Sequence, residues 1–179
     1  TIDFGFQGRS IDFAKGAATT GLRDFYAMDD YYTDTDSNAY QLPTFLGNHD
    51  MGRVGYFLQS TDAPLARDEL AHELMFLTRG QPVVYYGDEQ GFAGANPGND
   101  QSARQTLFAS QVDEYVDQTL VTGEQAGSVD RYDTDTELYT RIAELSALRE
   151  ANPALSTGAQ IERYVDNGAG VYAFSRVDR

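Results

Sequence analysis

The chain has 179 residues, no cysteine, and a formal net charge of −15 from 13 Lys and Arg against 28 Asp and Glu. So acidic a surface repels nucleic acid and anionic membrane. The lack of thiols excludes a disulfide framework and thiolate metal sites, and no apolar run reaches the roughly 18 residues of a membrane-spanning helix.

In chain order, residues 1–9 are predicted to form a strand and its exit loop. Ser10 to Ala18 is a candidate helix start, and Leu22, Phe25, Tyr26 and Met28 fall near helical spacing. Asp29 to Asn38 is rich in turn formers and reads as a loop. The acids of Asp29–Asp36 match no calcium-loop spacing, so they are expected to be solvated. Pro43 opens a short strand ending near Leu46, and a polar loop is expected from Asp50 to Pro64. Ala66 to Thr78 is the clearest helix, with Leu70, Leu74 and Leu77 at i, i+4 and i+7 and Gly80 as its expected C-cap. A second strand is predicted over Val83–Tyr86. Phe92 to Gly127 is loop-rich and includes the turn cluster Gly94 to Asp100. Thr136 to Glu150 is a helix with Leu138, Ile142, Leu145 and Leu148 on one face, ended by Asn152-Pro153. Ile161–Tyr164 and Gly170–Arg176 are two strands around the turn Asp166-Asn167-Gly168.

Two segments carry the chemistry. Leu42-Pro43-Thr44-Phe45-Leu46 ends abruptly in Gly47-Asn48-His49-Asp50, and Gln81-Pro82-Val83-Val84-Tyr85-Tyr86 ends in Gly87-Asp88-Glu89. A buried parallel strand delivers polar groups to the rim of an α/β barrel in this way: apolar residues fill the core, and the first residues beyond the strand face substrate. A helix-length segment separates the two, which predicts one site built from neighbouring strand ends. No GxGxxG before a helix, P-loop, HExxH or EF-hand pattern is present.

On Phe45-Leu46-Gly47-Asn48-His49-Asp50 and Gly80-Gln81-Pro82-Val83-Val84-Tyr85-Tyr86-Gly87-Asp88-Glu89, with Thr1-Ile2-Asp3-Phe4-Gly5-Phe6 ahead of them, the chain resembles the α-amylase family of glycoside hydrolases, with the flavour of bacterial α-amylases and pullulanase-like members. The resemblance implies an α/β fold: strands six to eight of a (β/α)8 TIM barrel with their helices over residues 1–154, then the start of a C-terminal all-β domain over 155–179. A complete barrel needs about 250 residues, so the chain is expected to be part of a larger enzyme. Its open sheet edges are expected to favour self-association.

The same resemblance assigns roles. Asp50 matches the family's third essential carboxylate, which stabilises the positively charged transition state of glycoside cleavage; on local pattern alone it equally reads as a cap or turn residue. His49 is expected to hydrogen-bond the sugar at the cleavage point. Asn48 is expected to orient the loop at the substrate site, and Arg53 to pair within the rim or meet a substrate hydroxyl. Asp88, Glu89 and Arg104 are expected to be rim scaffold, with Asp100 as a natural partner for Arg104. His72, within the helix, is expected to be structural or solvated.

The family's nucleophile Asp and acid/base Glu, on earlier strands, match nothing here, so this segment alone is expected to be inactive. No metal or cofactor is expected in it, though calcium is common in the family. The substrate class implied is an α-glucan of the starch, glycogen or pullulan type. The alternatives are a sucrose- or trehalose-processing transglycosylase or isomerase of the same family, or a non-catalytic carbohydrate-binding barrel. The sequence leaves localisation open, with a secreted bacterial enzyme compatible.

Overall fold

The computed structural model describes residues 2–95 and 98–178. Its first element is helix α1 (Phe4–Ala14), started by the Asp3 carboxylate, which accepts from the Phe6 N–H at 2.9 Å. The strand predicted over residues 1–9 is therefore helix from Phe4 onward, with Thr1 outside the described residues. The cap satisfies an N–H that a helix start leaves orphaned, and Phe6, Ser10, Ile11 and Ala14 then share a buried face. The Asp3 N–H donates to the Pro43 carbonyl at 2.9 Å, so the first residues still lie beside the next strand.

Helix α2 (Thr20–Tyr26) buries Leu22, and a 3₁₀ turn over Asp29–Tyr32 follows. Asp29 is not solvated as predicted: both its oxygens accept from the buried Arg79 guanidinium, which also meets Asp3 at 2.5 Å. Strand β1 (Pro43–Phe45) pairs in parallel with β2 (Gln81–Val83), Thr44 opposite Pro82. Among the described residues the parallel sheet has these two strands rather than the predicted three. Between them, where the sequence predicts a polar loop to Pro64, lies α3 (Val54–Leu58), because Val54 and Leu58 sit one turn apart and are both fully buried. Helix α4 (Pro64–Leu77) follows, with proline in its first turn and Ala71, Leu74, Met75 and Phe76 toward the core.

The carboxyl end of α4 is closed by side chains. The C-cap is Thr78, whose hydroxyl donates to the Leu74 carbonyl. Arg149 donates to the Phe76 and Gly80 carbonyls, and Arg176 to that of Leu77. Gly80, expected as the cap, instead makes room for the neighbouring strand: at φ 109° a Cβ there would stand 2.4 Å from Thr44 Cγ2 and 3.1 Å from the Leu42 carbonyl oxygen. Strand β2 also stops at Val83 rather than Tyr86. The Tyr85 carbonyl accepts from the Asp88 N–H in a turn and the Tyr86 carbonyl from Arg53, so neither is offered to a ladder.

A short helix α5 (Asp113–Val116) interrupts the loop-rich stretch before α6 (Glu137–Ala151). Thr136 caps α6, its hydroxyl accepting from the Tyr139 N–H at 3.1 Å. Leu138 and Leu145 are buried, whereas Leu148 is 46% exposed. At 3.6 residues per turn, each three-residue step falls short of a full turn, and by Leu148 the row has rotated off the core face. Arg149 is buried there instead. Pro153 both ends α6 and opens α7 (Pro153–Thr157). The predicted pair of C-terminal strands forms an antiparallel hairpin, β3 (Ala159–Tyr164) with β4 (Ala173–Val177). It is seated on the preceding elements by Asp166 N–H to Thr19 Oγ1 at 2.6 Å and Arg79 N–H to Gln160 Oε1 at 2.7 Å. Thr136→Ala is expected to lower stability by about 0.5–2 kcal/mol through loss of the α6 cap, read as a shifted urea midpoint at constant m-value.

Candidate functional site

The loops leaving β1 and β2 lie side by side because their strands are paired. After β1 the chain closes a tight turn: Asn48 and Gly52 exchange backbone hydrogen bonds at 2.9 and 3.1 Å, and the Asn48 side-chain oxygen accepts from the N–H groups of both Asp50 and Met51. This use of an asparagine oxygen to nucleate a turn is local chemistry. Gly52, at φ 109°, lies so close to the Gly98 carbonyl that a Cβ would stand 2.4 Å from it. The turn is thereby pinned to the loop at Gly98.

His49 and Asp50 occupy the tip, with side chains 60% and 70% exposed, and His49 Nε2 is 3.4 Å from Asp50 Oδ2. Arg104 reaches them from the far loop. Its Nε donates to the His49 carbonyl and its Nη2 to Asp50 Oδ1, both at 3.2 Å, while Asp100 holds the same guanidinium at 2.6 Å. Asp100 has φ 48°, the one non-glycine residue with positive φ among those described. Such strain tends to gather at sites where a side chain must be aimed. The pairing of Arg104 with Asp100 was legible from their four-residue spacing; its reach to Asp50 was not, because it spans 54 residues.

Beneath the tip the character changes. Of the two expectations for Arg53, pairing within the rim or meeting a substrate hydroxyl, its unexposed side chain fits the first. Its guanidinium donates to Gln105 Oε1 at 2.8 Å, to the Tyr86 carbonyl at 2.6 Å and to Asp88 Oδ1 at 2.9 Å, and lies over the Tyr85, Tyr86 and Phe92 rings. It is a strut between the two loops. Asp88 and Glu89 do not converge: Asp88 turns inward to Arg53, while the half-buried Glu89 accepts from the Gly87 N–H at 2.7 Å. His72 is fully buried, with Nδ1 2.9 Å from Asp68 Oδ1, which removes the solvated alternative. Gln105 and Gln118 complete the buried network, joined amide to amide. Nothing near them in the sequence signals that role.

Burial pushes the Asp88 carboxyl up to about 7, against the opposing pull of Arg53. For His72, burial is the largest influence and lowers the value, but the Asp68 contacts together outweigh it and leave the net value raised. Both groups therefore bind protons more readily folded than unfolded. A raised native pKa contributes stability that is present at low pH and lost as pH rises, for Asp88 between about 4 and about 7. The melting temperature is expected to fall across that window, and Asp88→Asn to flatten the slope; an unchanged slope in the variant would assign it elsewhere.

Chemically, the rim offers a carboxylate, an imidazole and a guanidinium to solvent over a rigid buried base. It can accept and donate hydrogen bonds to vicinal hydroxyls and stabilise positive charge beside them. Among the described residues no group of three or more His, Asp or Glu is placed to hold a metal ion.

The sequence profile described as "Alpha amylase, catalytic domain" matches residues 1–158. An α-amylase of Streptomyces lividans is 49% identical over 186 residues, covering 99% of this chain and 20% of that protein. A cyclomaltodextrin glucanotransferase of Bacillus sp. (strain 1-1) is 27% identical, covering 96% of this chain and 20% of its own length. Among solved structures, an Anoxybacillus α-amylase superposes with a TM-score of 0.73 at 24% identity, over 99% of this chain and 33% of that one. The cyclomaltodextrin glucanotransferase CldA superposes at 0.69 with 31% identity, over 98% and 30%. The chain thus spans about a fifth of the length of these two curated relatives.

Proposed function

This chain belongs to the α-amylase catalytic-domain family, and on that premise we propose that it supplies one wall of the active site of a retaining glycosidase acting on α-glucans. The carrying observation is the solvent-facing His49–Asp50 tip, held by Arg104 above a fully buried Arg53–Asp88 strut. In this reading Asp50 stabilises the oxocarbenium-like transition state, His49 and Asn48 serve the substrate side of the loop, and Arg53, Asp88, Glu89 and Arg104 hold it in place. Residues 1–154 are assigned to a barrel of which β1 and β2 are neighbouring strands, while the expected boundary at 154/155 falls inside α7, so it is the β3–β4 hairpin beyond α7 that opens an all-β unit.

Retention at a glycosidic carbon requires a nucleophile and an acid/base carboxyl about 5–5.5 Å apart across the scissile bond. Asp88 and Glu89 do not form that pair, since they point to different partners. The isolated chain is therefore expected to release no reducing sugar from soluble starch, while a longer parent enzyme releases it. Activity from purified isolated chain would place a complete catalytic pair within these residues and overturn the reading. The cyclomaltodextrin glucanotransferases among its relatives keep glycosyl transfer as a second reading. Chromatography of the parent's products, linear or cyclic, separates the two.

A further inference from the structure

A cavity of about 490 Å³ opens between the segment around Tyr26–Tyr40 and strand β3, within the volume range of small-ligand clefts. Asn38 and Tyr40 in its wall precede β1, whereas Asp50 follows it, so the cavity lies at the opposite end of the strand from the rim.

Three half-buried tyrosines, Tyr26, Tyr40 and Tyr172, line the cavity. Tyr26 and Tyr172 stack with centroids 6.1 Å apart and planes 13° from parallel. Gln160 fixes the other edges: its backbone N–H donates to the Tyr40 hydroxyl at 3.0 Å and its side-chain amide to the Tyr172 hydroxyl at 3.3 Å. The aromatic wall is therefore preorganised by the seam between hairpin and helices. Thr33 and Asn38 add an alcohol and an amide to the same wall.

The charges narrow the ligand class. Arg23 is paired with Asp24 at 2.8 Å, and Asp29 is taken up by Arg79. Asp30 and Glu162 add two more carboxylates to the wall, which opposes phosphate and other anions. Aromatic surface beside carboxylate, amide and hydroxyl groups that pair with vicinal hydroxyls suits a neutral sugar.

We propose that this cavity is a second saccharide site that holds a short stretch of α-glucan away from the reacting bond. The sugar class follows from the lining; the α-linkage rests on the function proposed above. A glucan held here and at the rim binds the second time at a raised effective concentration.

The test is a titration of the ¹⁵N-labelled 179-residue chain with maltoheptaose, the dispersion of the free spectrum serving as the control for folding. Saturable shifts are expected at the Gln160, Glu162 and Tyr172 amides, and equally in Asp50→Asn. Glu162→Ala combined with Thr33→Ala, both at exposed positions, is expected to weaken that binding roughly tenfold, or about 1.4 kcal/mol. Shifts confined to residues 48–53 would overturn the cavity site and leave the rim reading intact. A folded chain with no shift around the cavity overturns it as well, and the rim reading is judged separately by the parent enzyme's hydrolysis of starch.

Discussion

Asp50→Asn, introduced into a parent enzyme carrying this segment, is expected to lower kcat on soluble starch by roughly 10²–10³-fold or more, the scale seen when one preorganised electrostatic partner of a transition state is removed. KM should move far less, because in the proposed role the charge that Asp50 meets develops mainly in the transition state. The geometry explains why the substitution isolates this effect. The carboxylate is exposed and takes part in no core contact, and the turn beneath it is held by Asn48 and the Gly52 backbone, which Asn at position 50 leaves in place. The variant should therefore melt like the parent. A kcat within tenfold of the parent's would remove Asp50 from the chemistry and return it to the turn-residue reading.

Arg53→Met carries the second large effect, on stability. Arg53 and Asp88 are buried at 0% and 2% side-chain exposure, 2.9 Å apart. Removing one partner of such a pair and leaving the other charge buried costs on the order of 3–5 kcal/mol. The penalty should depend on pH. Burial already pushes the Asp88 carboxyl up to about 7, and losing the guanidinium that lowers it will raise it further, so at pH 5 the stranded carboxyl is neutral and the loss shrinks. Denaturant melts of Arg53→Met at pH 8 and pH 5 should show the larger deficit at pH 8. Arg53→Met with Asp88→Leu should recover part of it, since an apolar pair of similar volume removes both desolvated groups. Equal deficits at the two pH values would mean that lost ring packing, rather than the stranded charge, dominates.

The local elements were legible wherever a short-range pattern acts alone. Helices α4 and α6, the strand that leads to Asn48-His49-Asp50 and the C-terminal hairpin follow from apolar spacing, capping residues and turn formers close in the chain. The misreadings share a cause. Residues 4–9 are helical because Asp3 caps them and their buried face meets α4; Val54 and Leu58 turn a presumed loop into helix; the second strand ends early because Arg53 claims the Tyr86 carbonyl. The Asp3 cap and the Val54–Leu58 spacing are local, but the burial of those faces against α4 and the Arg53 contact depend on partners distant in sequence, which periodicity does not register.

The same division runs through the site. By itself the sequence determined which groups the loop after β1 presents, since the Asn48 side chain builds that turn from its own neighbours and leaves His49 and Asp50 at the tip. Only the tertiary structure decided that Arg53, four residues beyond His49, is a strut rather than a sugar contact, and that Arg104 reaches back to the tip. The physical reason is solvation. Whether a charged side chain meets substrate or partner depends on what excludes water around it, and the Tyr85, Tyr86, Phe92 and Gln105 side chains that enclose Arg53 arrive from positions 32 to 52 residues away.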